Sequence, residues 1–318
     1  MVADAGPGAA PRRASPHRSP DPARARALFL HPITPLRAPL SPPAPPRAHK
    51  KQVYYVAKQI AHPCSPEAFG LALAAHFLAH HPLVSRAKVR VTAAPWARHT
   101  PAGGGGAPHA HGFEGGGGGD RFAVVLQGRQ AGGGGGGGPA PPTVIAGVAG
   151  WRVLKTTQSG YAGFARDAWT ALPDAADRIL ATAVSASWRY SCSAGPPPDY
   201  DAAYGAVTAA MAASFFGPPR EGVFSPSAQF TLHAMARAAL AAAPAVDSIA
   251  LTLPNLHFLP CAPLGDARGF QNDVYTATSE PHGVIEAVLV RGGEQGKAPV
   301  RPHVELWGED GLGPAARL

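Results

Sequence analysis

Cysteine is scarce in this chain of 318 residues, and its three copies, Cys64, Cys192 and Cys261, are far apart in the sequence. An odd number of cysteines without a C-x-x-C pair fits neither a disulfide framework nor a zinc ribbon, and it favours a reducing intracellular compartment. Long apolar runs are also missing. None reaches the length of about 18 residues that a membrane-spanning helix needs, so we expect no transmembrane segment.

Acidic residues are few, and the net charge of +8 is unevenly distributed. Residues 1–50 contain eight basic and two acidic side chains, so residues 51–318 carry only +2 of the total. A nearly neutral folded part argues against a nucleic-acid-binding surface. We expect residues 1–50 to be a disordered extension rich in Pro and Arg. Their composition resembles an organelle transit peptide, although a clean amphipathic helix is lacking.

Glycine and proline are abundant, with 38 and 36 copies. Three glycine runs occupy residues 103–106, 115–119 and 132–138. None is followed by Lys-Ser or Lys-Thr, as a phosphate-binding loop requires, so we interpret them as flexible connections between strands.

Hydrophobic patterning predicts the elements of the first half. The β-branched and aromatic segment QVYYVAKQI (52–60) predicts a strand, and residues 65–82 predict a helix with Ser65 as its N-cap. AKVRVT and DRFAVVLQG alternate as strands do. The predicted order is strand, helix, strand, strand.

The second half predicts a complete layered unit. Strands are expected at 143–157 and 181–190, the latter with Val184, Ala186, Trp188 and Tyr190 on one face. Helices follow at 200–215 and 226–243, the second introduced by Ser225 as a cap, and strands at 247–253 and 283–291 close the unit. The order ββααββ predicts an α+β fold, in which an antiparallel sheet carries both helices on one face.

Polar residues at the ends of these elements could form a binding site. Arg178 precedes a strand, and Gln229 lies in the first turn of a helix, where free N–H groups attract anions. Asn255 and His257 are two residues apart just after a predicted strand, where an extended chain would point both side chains to the same face, and Tyr161 offers an aromatic ring. Together they would suit a planar, anionic heterocycle. Taken singly, Arg178 also fits a surface ion pair, Tyr161 a core ring and His257 a structural strand histidine.

Three segments carry a resemblance to a known family: VLKTTQSGYAGFARDAWTALPDAADRILAT, FSPSAQFTLHAMA and LPNLHF. From Val53 to Arg291 the chain resembles urate oxidase (uricase). The resemblance implies tandem ββααββ tunnelling-fold units and a homotetramer with active sites shared between subunits. The expected divisions are the extension 1–50, an incomplete first unit 51–147 with glycine-rich insertions, a second unit 148–292 and a tail 293–318.

The same resemblance implies roles for single residues. Arg178 and Gln229 would grip urate, Tyr161 would stack where the family usually has Phe, and Ala228 would offer its backbone N–H where Val is usual. Leu172 would line the pocket.

The remaining pair would serve the reaction with oxygen. Asn255 would hold dioxygen or water above the ring, and His257 would relay protons. The family uses no metal or organic cofactor, because the urate dianion itself reduces dioxygen, giving 5-hydroxyisourate and hydrogen peroxide. Positioning and proton transfer would be the protein's contribution.

The N-terminal part departs from the family pattern. Pro46 and Arg47 occupy the positions of a Thr-Asp pair, and no upstream strand supplies the family's catalytic Lys. Of the Lys-Thr-His relay only His257 would remain. Two interpretations stay open: an active enzyme whose N-terminal sequence is given incorrectly, or an inactive homologue that binds urate or a purine without turnover. A pterin- or GTP-directed enzyme of the same fold would need a zinc or cysteine site that the chain does not offer.

Two further motifs have alternative interpretations. His109 and His111 in PHAHGF could form a metal pair, but no third ligand is evident, and we favour a loop motif. The last residues, Ala316-Arg317-Leu318, are a variant of the peroxisomal address Ser-Lys-Leu, so we expect an import receptor as a partner and a peroxisomal location. The arginine-rich N-terminal segment points instead to a mitochondrion or plastid.

Overall fold

The computed structural model describes residues 28–30, 46–61, 63–100, 107–130, 138–191, 195–261, 273–278 and 282–292. It contains four helices within these residues: α1 (Pro46–Gln59), α2 (Pro66–His80), α3 (Tyr200–Phe216) and α4 (Ala228–Ala242). The strands there are β1 (Leu28–Leu30), β2 (Arg86–Ala93), β3 (Trp96–Arg98), β4 (Phe113–Gly115), β5 (Asp120–Gly128), β6 (Thr143–Lys155), β7 (Leu180–Tyr190), β8 (Val246–Pro254), β9 (His257–Pro260), β10 (Tyr275–Thr278) and β11 (Val284–Val290).

Seven strands form one antiparallel sheet in the order β1-β2-β5-β6-β7-β8-β11. The short hairpins β3–β4 and β9–β10 stand outside it. β6, β7, α3, α4, β8 and β11 follow the predicted ββααββ order, which confirms the α+β prediction. The predicted boundary between residues 147 and 148 falls inside β6, which runs from Thr143 to Lys155.

The core lies between the helices and one face of the sheet. The predicted face of β7 is buried there, including Trp188, which is fully enclosed. Met211 and Phe215 of α3 and Met235 of α4 pack onto it. A smaller cluster of Phe122, Val124 and Ile145 lies apart from this core. No described helix is both long and apolar enough to cross a bilayer.

The two units repeat each other in detail. α2 and α4 both have 15 residues and begin after a serine N-cap, Ser65 and Ser227. The same offset in residue number relates Arg129 to Arg291. Arg129 donates to the carbonyls of Leu78, His81 and Val84, and Arg291 to those of Leu240, Ala243 and Val246. Each arginine therefore ties the end of a helix to the last strand of its unit.

The strand predicted at 52–60 is wrong, because these residues belong to α1 and its end. Val53 and Val56 are buried, and Ala57 and Ile60 pack against the same core. This i, i+3, i+4, i+7 spacing lies along one face of a helix. The first unit therefore contains two helices, α1 and α2, as the second contains α3 and α4.

The segment predicted to be a disordered extension contains two described pieces. Residues 28–30 form β1, which pairs with β2, and α1 begins at Pro46. A short strand thus occupies the edge of the first unit, where no strand was expected. Of the glycine runs, 115–119 links β4 to β5. The other two, apart from Gly138, lie outside the described residues, as does the tail from 293 onward.

Candidate active site

Three chain segments meet beside the end of β6 and the beginning of β7. The Gly160 N–H donates to the Ser225 carbonyl (2.8 Å), and the Ser225 N–H donates to the Gln158 carbonyl (2.9 Å). The Arg178 N–H donates to the Ser159 carbonyl at 2.7 Å. These backbone bonds bring the segments that carry Tyr161, Arg178 and the start of α4 to one place, although the sequence separates them by many residues.

Tyr161 and Arg178 contact each other. The Arg178 guanidinium carbon lies 5.3 Å from the centre of the Tyr161 ring. Tyr161 and Ala175 exchange two backbone hydrogen bonds of 2.8 and 2.9 Å, which fix the tyrosine beside the chain that leads to Arg178. The ring also stacks on Phe164, with centroids 4.5 Å apart and planes 20° from parallel. The aromatic ring and the guanidinium, which were considered separately in the sequence, therefore lie beside each other.

Arg178 is poised for an anion. Its Nε is buried and has no hydrogen-bond partner in the described part of the chain, and the ion pairs described there do not include it. Burial lowers the pKa of Arg178 below its ordinary value, and interaction with Tyr161 raises it in part. Arg178 as a whole is half-buried, but a buried N–H donor without a partner is costly, so this geometry favours a ligand that accepts from it, and the positive charge favours an anion.

The first turn of α4 supplies further donors. Ser227 is the N-cap, and its Oγ accepts from the Phe230 N–H at 3.1 Å. Ala228 is buried and Gln229 is exposed in the first turn, as predicted for Gln229. N–H groups at a helix start precede the first intrahelical hydrogen bond and can bind an anion.

Ser225 is not the cap that the sequence predicted. It is buried two residues earlier, where its Oγ receives hydrogen bonds from Lys155 and Thr231.

Asn255 and His257 are joined to the same region through the backbone. The N–H of Leu256, between them, donates to the Ala181 carbonyl at 3.1 Å, three residues beyond Arg178. Asn255 donates its own N–H to the Gly283 carbonyl. β8 ends at Pro254, one residue beyond the predicted end of its strand, and β9 begins at His257.

Leu172 lies in the loop between Tyr161 and Arg178 and is 55% exposed. Arg166 donates to its carbonyl at 3.0 Å and pairs with Asp174 at 2.8 Å, which closes the loop. The described contacts do not bring Leu172 to Tyr161 or Arg178. The loop reaches the site through Phe164, because the Arg166 guanidinium lies 4.7 Å from that ring.

Two other residues stabilise the backbone of the site and were not predicted from the sequence. Asp177 Oδ1 accepts from the backbone N–H groups of Ser159 (3.3 Å) and Arg178 (3.1 Å). Lys155 Nζ donates to Ser225 Oγ at 2.7 Å. The sequence does show an acidic residue, Asp177, directly before Arg178, and Lys155 near the end of a predicted strand. These two positions could have indicated residues that support the site.

His109 and His111 belong to the β3–β4 hairpin, away from these segments. His109 Nδ1 accepts from the N–H groups of His111 (3.1 Å) and Gly112 (2.5 Å), which shapes the turn. In the parts of the chain that the structure describes, no group of three metal-ligating side chains occurs.

Comparison with known proteins places this arrangement in context. The family model described as Uricase matches residues 144–286. The chain is 39% identical over 251 residues to "Uricase-2 isozyme 1" of Glycine max, covering 76% of this chain and 77% of that protein. It is 38% identical over 252 residues to the "Uricase" of Arabidopsis thaliana, with the same coverage. The crystal structure of uricase from Arthrobacter globiformis superposes with a TM-score of 0.66 at 30% identity, covering 80% of each chain.

Proposed function

This chain belongs to the uricase family, and we propose that it is a urate oxidase, which oxidises urate with dioxygen to 5-hydroxyisourate and hydrogen peroxide. The observation that carries the proposal is the buried, unpaired Nε of Arg178 against the Tyr161 ring. That pair is joined by backbone hydrogen bonds to the segment from which α4 begins.

Urate matches this site in shape and charge. The guanidinium of Arg178 can donate two parallel hydrogen bonds to the edge of a planar anion. The Ala228 N–H and the Gln229 amide would bind another edge, since both stand in the first turn of α4. Tyr161 supplies an aromatic surface next to the guanidinium. Leu172 would cover the ligand from its loop.

The reaction removes two electrons from urate and delivers them to dioxygen. Water adds to the ring carbon that has lost electron density, forming the hydroxyl of 5-hydroxyisourate, and two protons complete hydrogen peroxide. In this proposal Asn255 holds dioxygen or water over the ring, and His257 transfers protons between water, urate and peroxide. Their contribution is positioning and proton transfer at fixed distance.

A binding protein without turnover is the second candidate. In its favour, the family resemblance would place Pro46 and Arg47, which are the first residues of α1, where the relay has Thr and Asp. A proline has no hydroxyl to pass a proton. Removal of one member of a cooperating catalytic group commonly lowers the rate by orders of magnitude.

The test measures urate binding and urate oxidation by the purified chain, following loss of urate absorbance together with peroxide release. Arg178→Gln should lower kcat/KM by about ten- to a hundredfold, because it removes charge-assisted hydrogen bonds to the anion. Arg152→Gln, at an exposed position of β6, is the matched control and should change neither quantity. Binding without peroxide release would support the second candidate. Absence of both would overturn the proposed function.

Assembly and location complete the proposal. We propose a homotetramer in which neighbouring subunits complete each site. We also propose import into peroxisomes through Ala316-Arg317-Leu318, where catalase would consume the peroxide. A fluorescent fusion that ends in these three residues should colocalise with a peroxisomal marker and lose that location when they are deleted. Targeting to a mitochondrion or plastid by residues 1–50 would contradict this address.

A further inference from the structure

Lys155 is the last residue of β6, and its ammonium group is fully engaged. Nζ donates to the carbonyl oxygens of Phe215 (3.2 Å) and Val223 (2.8 Å) and to Ser225 Oγ (2.7 Å). An ammonium group has three hydrogens, and these contacts use all of them. Phe215 belongs to the last turn of α3, where the helix dipole favours a cation.

The partners of Lys155 form the path from α3 to α4. Ser225 is 2% exposed, so its hydroxyl depends on partners within the protein. Thr231 Oγ1, in α4, lies 2.6 Å from Ser225 Oγ and 3.0 Å from the Ser227 carbonyl oxygen. Lys155 is thereby linked through one serine to the first turns of α4.

The backbone of Ser225 holds the other side of the site. It exchanges hydrogen bonds with Gln158 and Gly160, directly before Tyr161. Gln158 has φ of 61°, in the left-handed region that a residue other than glycine seldom adopts. Such a conformation persists only where surrounding contacts impose it. The strained residue thus lies at the junction that Lys155 stabilises.

Lys155 has no carboxylate among its described partners, and burial lowers its pKa. A structural role in the core would be served as well by an apolar side chain. The ammonium group instead suits a junction made of carbonyl and hydroxyl oxygens, because these acceptors can be joined only through a donor.

We infer that Lys155 is a positioning residue for the substrate site: it holds Ser225 so that Ala228 and Gln229, at the start of α4, face the Tyr161–Arg178 pair. The inference rests on the proposed function for the identity of the ligand. Lys155 acts through Ser225 and the first turn of α4.

The experiment compares Lys155→Met, which keeps the length of the side chain but removes the donors, with the unchanged full-length chain. Urate KM should rise by about tenfold, while kcat changes much less, because the misplaced groups bind urate before and during the reaction. Lys155→Arg keeps the charge and donors and should restore part of the affinity. Lys58→Met, at an exposed position of α1, is the control and should leave KM unchanged.

A double-variant cycle separates positioning from general destabilisation. In a Gln229→Ala background, Lys155→Met should raise KM by less than about threefold, since one of the two groups that it positions is already missing. The inference would be overturned if Lys155→Met raised KM by the same factor in both backgrounds. It would also be overturned if the loss of activity only matched a decrease in the fraction of folded protein.

Hydrogen exchange gives a readout that does not depend on urate. Lys155→Met should increase exchange at the amides of 225–230 and 158–161, and leave α2 unchanged. Unchanged exchange at both segments would refute the positioning role even in an active enzyme. If the unchanged chain neither binds nor oxidises urate while exchange responds as expected, the proposed function fails and Lys155 remains the residue that holds these segments.

Discussion

Glu67 is a carboxylic acid in the core, and Arg121 is its partner. Glu67 is 0% exposed, and its Oε2 accepts from Arg121 Nη2 at 2.8 Å. Arg121 also pairs with Asp201 at 2.6 Å, and its guanidinium lies 4.3 Å from the centre of the Tyr204 ring. Arg121, Glu67 and Asp201 are the second residues of β5, α2 and α3, so this cluster joins the two units of the molecule.

Removing Arg121 should destabilise the fold, because the buried Glu67 carboxylate would lose its partner. Arg121→Met is expected to lower the free energy of unfolding by about 3–5 kcal/mol at neutral pH, because the carboxylate loses its counter-charge. Burial already raises the pKa of Glu67, and Arg121 opposes this rise. In the variant the pKa rises further. The folded protein then binds the Glu67 proton more tightly than the unfolded chain does, and stability is regained as the pH falls.

Urea unfolding of the unchanged chain and the variant at neutral pH and near about pH 5 tests this sign. The destabilisation should be smaller at the lower pH. The double variant Glu67→Gln/Arg121→Met has no buried charge and should show a weaker pH dependence than Arg121→Met alone. Equal destabilisation at both pH values would contradict the account.

The sequence indicated which residue types could bind the ligand, but it did not predict that they lie close together. Arg178 and Tyr161 were selected for a guanidinium and a ring, and the structure brings the two together. Their contact depends on the Tyr161–Ala175 hydrogen bonds and on the bridge between Ser159 and Ser225, which spacing along the chain does not encode. Lys155 was not predicted for the same reason. Its hydrogen-bond partners are 60 to 70 residues away in the sequence.

At the level of helices and strands, the similarity of the two units provides two equivalent helix N-caps, one at α2 and one at α4. Ser65 and Ser227 each accept a hydrogen bond from the N–H three residues ahead, at 3.1 Å in both cases. Ser65→Ala and Ser227→Ala should each lower the free energy of unfolding by about 1 kcal/mol. Only Ser227→Ala should also raise the KM for urate, because only α4 carries Ala228 and Gln229 in its first turn.

Thermal unfolding and steady-state kinetics of the two variants check this prediction. Ser65→Ala is the internal control, since it removes the same bond from the same helix type in the other unit. A similar rise in KM in both variants would assign the effect to general loosening, and would contradict a binding role for the start of α4.

Element prediction failed where two physical preferences competed. In α1, Val53, Tyr54 and Tyr55 have side chains that favour strands. The helix forms because its apolar face packs on α2 and the core, and Tyr54 and Tyr55 are left 63% and 58% exposed. Burial of one face therefore outweighs local preference. The spacing of Val53, Val56 and Ile60 was the signal for it.

At the scale of the whole molecule, several large apolar side chains near the site in the sequence are exposed to solvent. Trp169 is 89% exposed, Leu172 55%, Phe224 49% and Phe230 56%. All four lie on the segments that carry or border the site residues. Large apolar side chains exposed in this number are typical of an interface. A second copy of the chain would cover them and would close the site against water, in agreement with the proposed homotetramer.

Oligomer formation and turnover should therefore fail together. Trp169→Ser should shift the mass measured by light scattering from the assembly toward the single chain and reduce urate turnover in proportion. Its matched control is Leu83→Ser in the α2–β2 connection, where the leucine is 73% exposed, and it should alter neither property.

Dilution of the unchanged chain gives an independent form of the same test. If subunits complete one another's sites, specific activity should fall as the assembly dissociates, because mass action links the two equilibria. Urate at saturating concentration should oppose that dissociation, since a ligand that binds only the assembled form stabilises it. Full activity in a chain shown to be monomeric at the assay concentration would contradict shared sites. The apolar surface would then have to serve another contact.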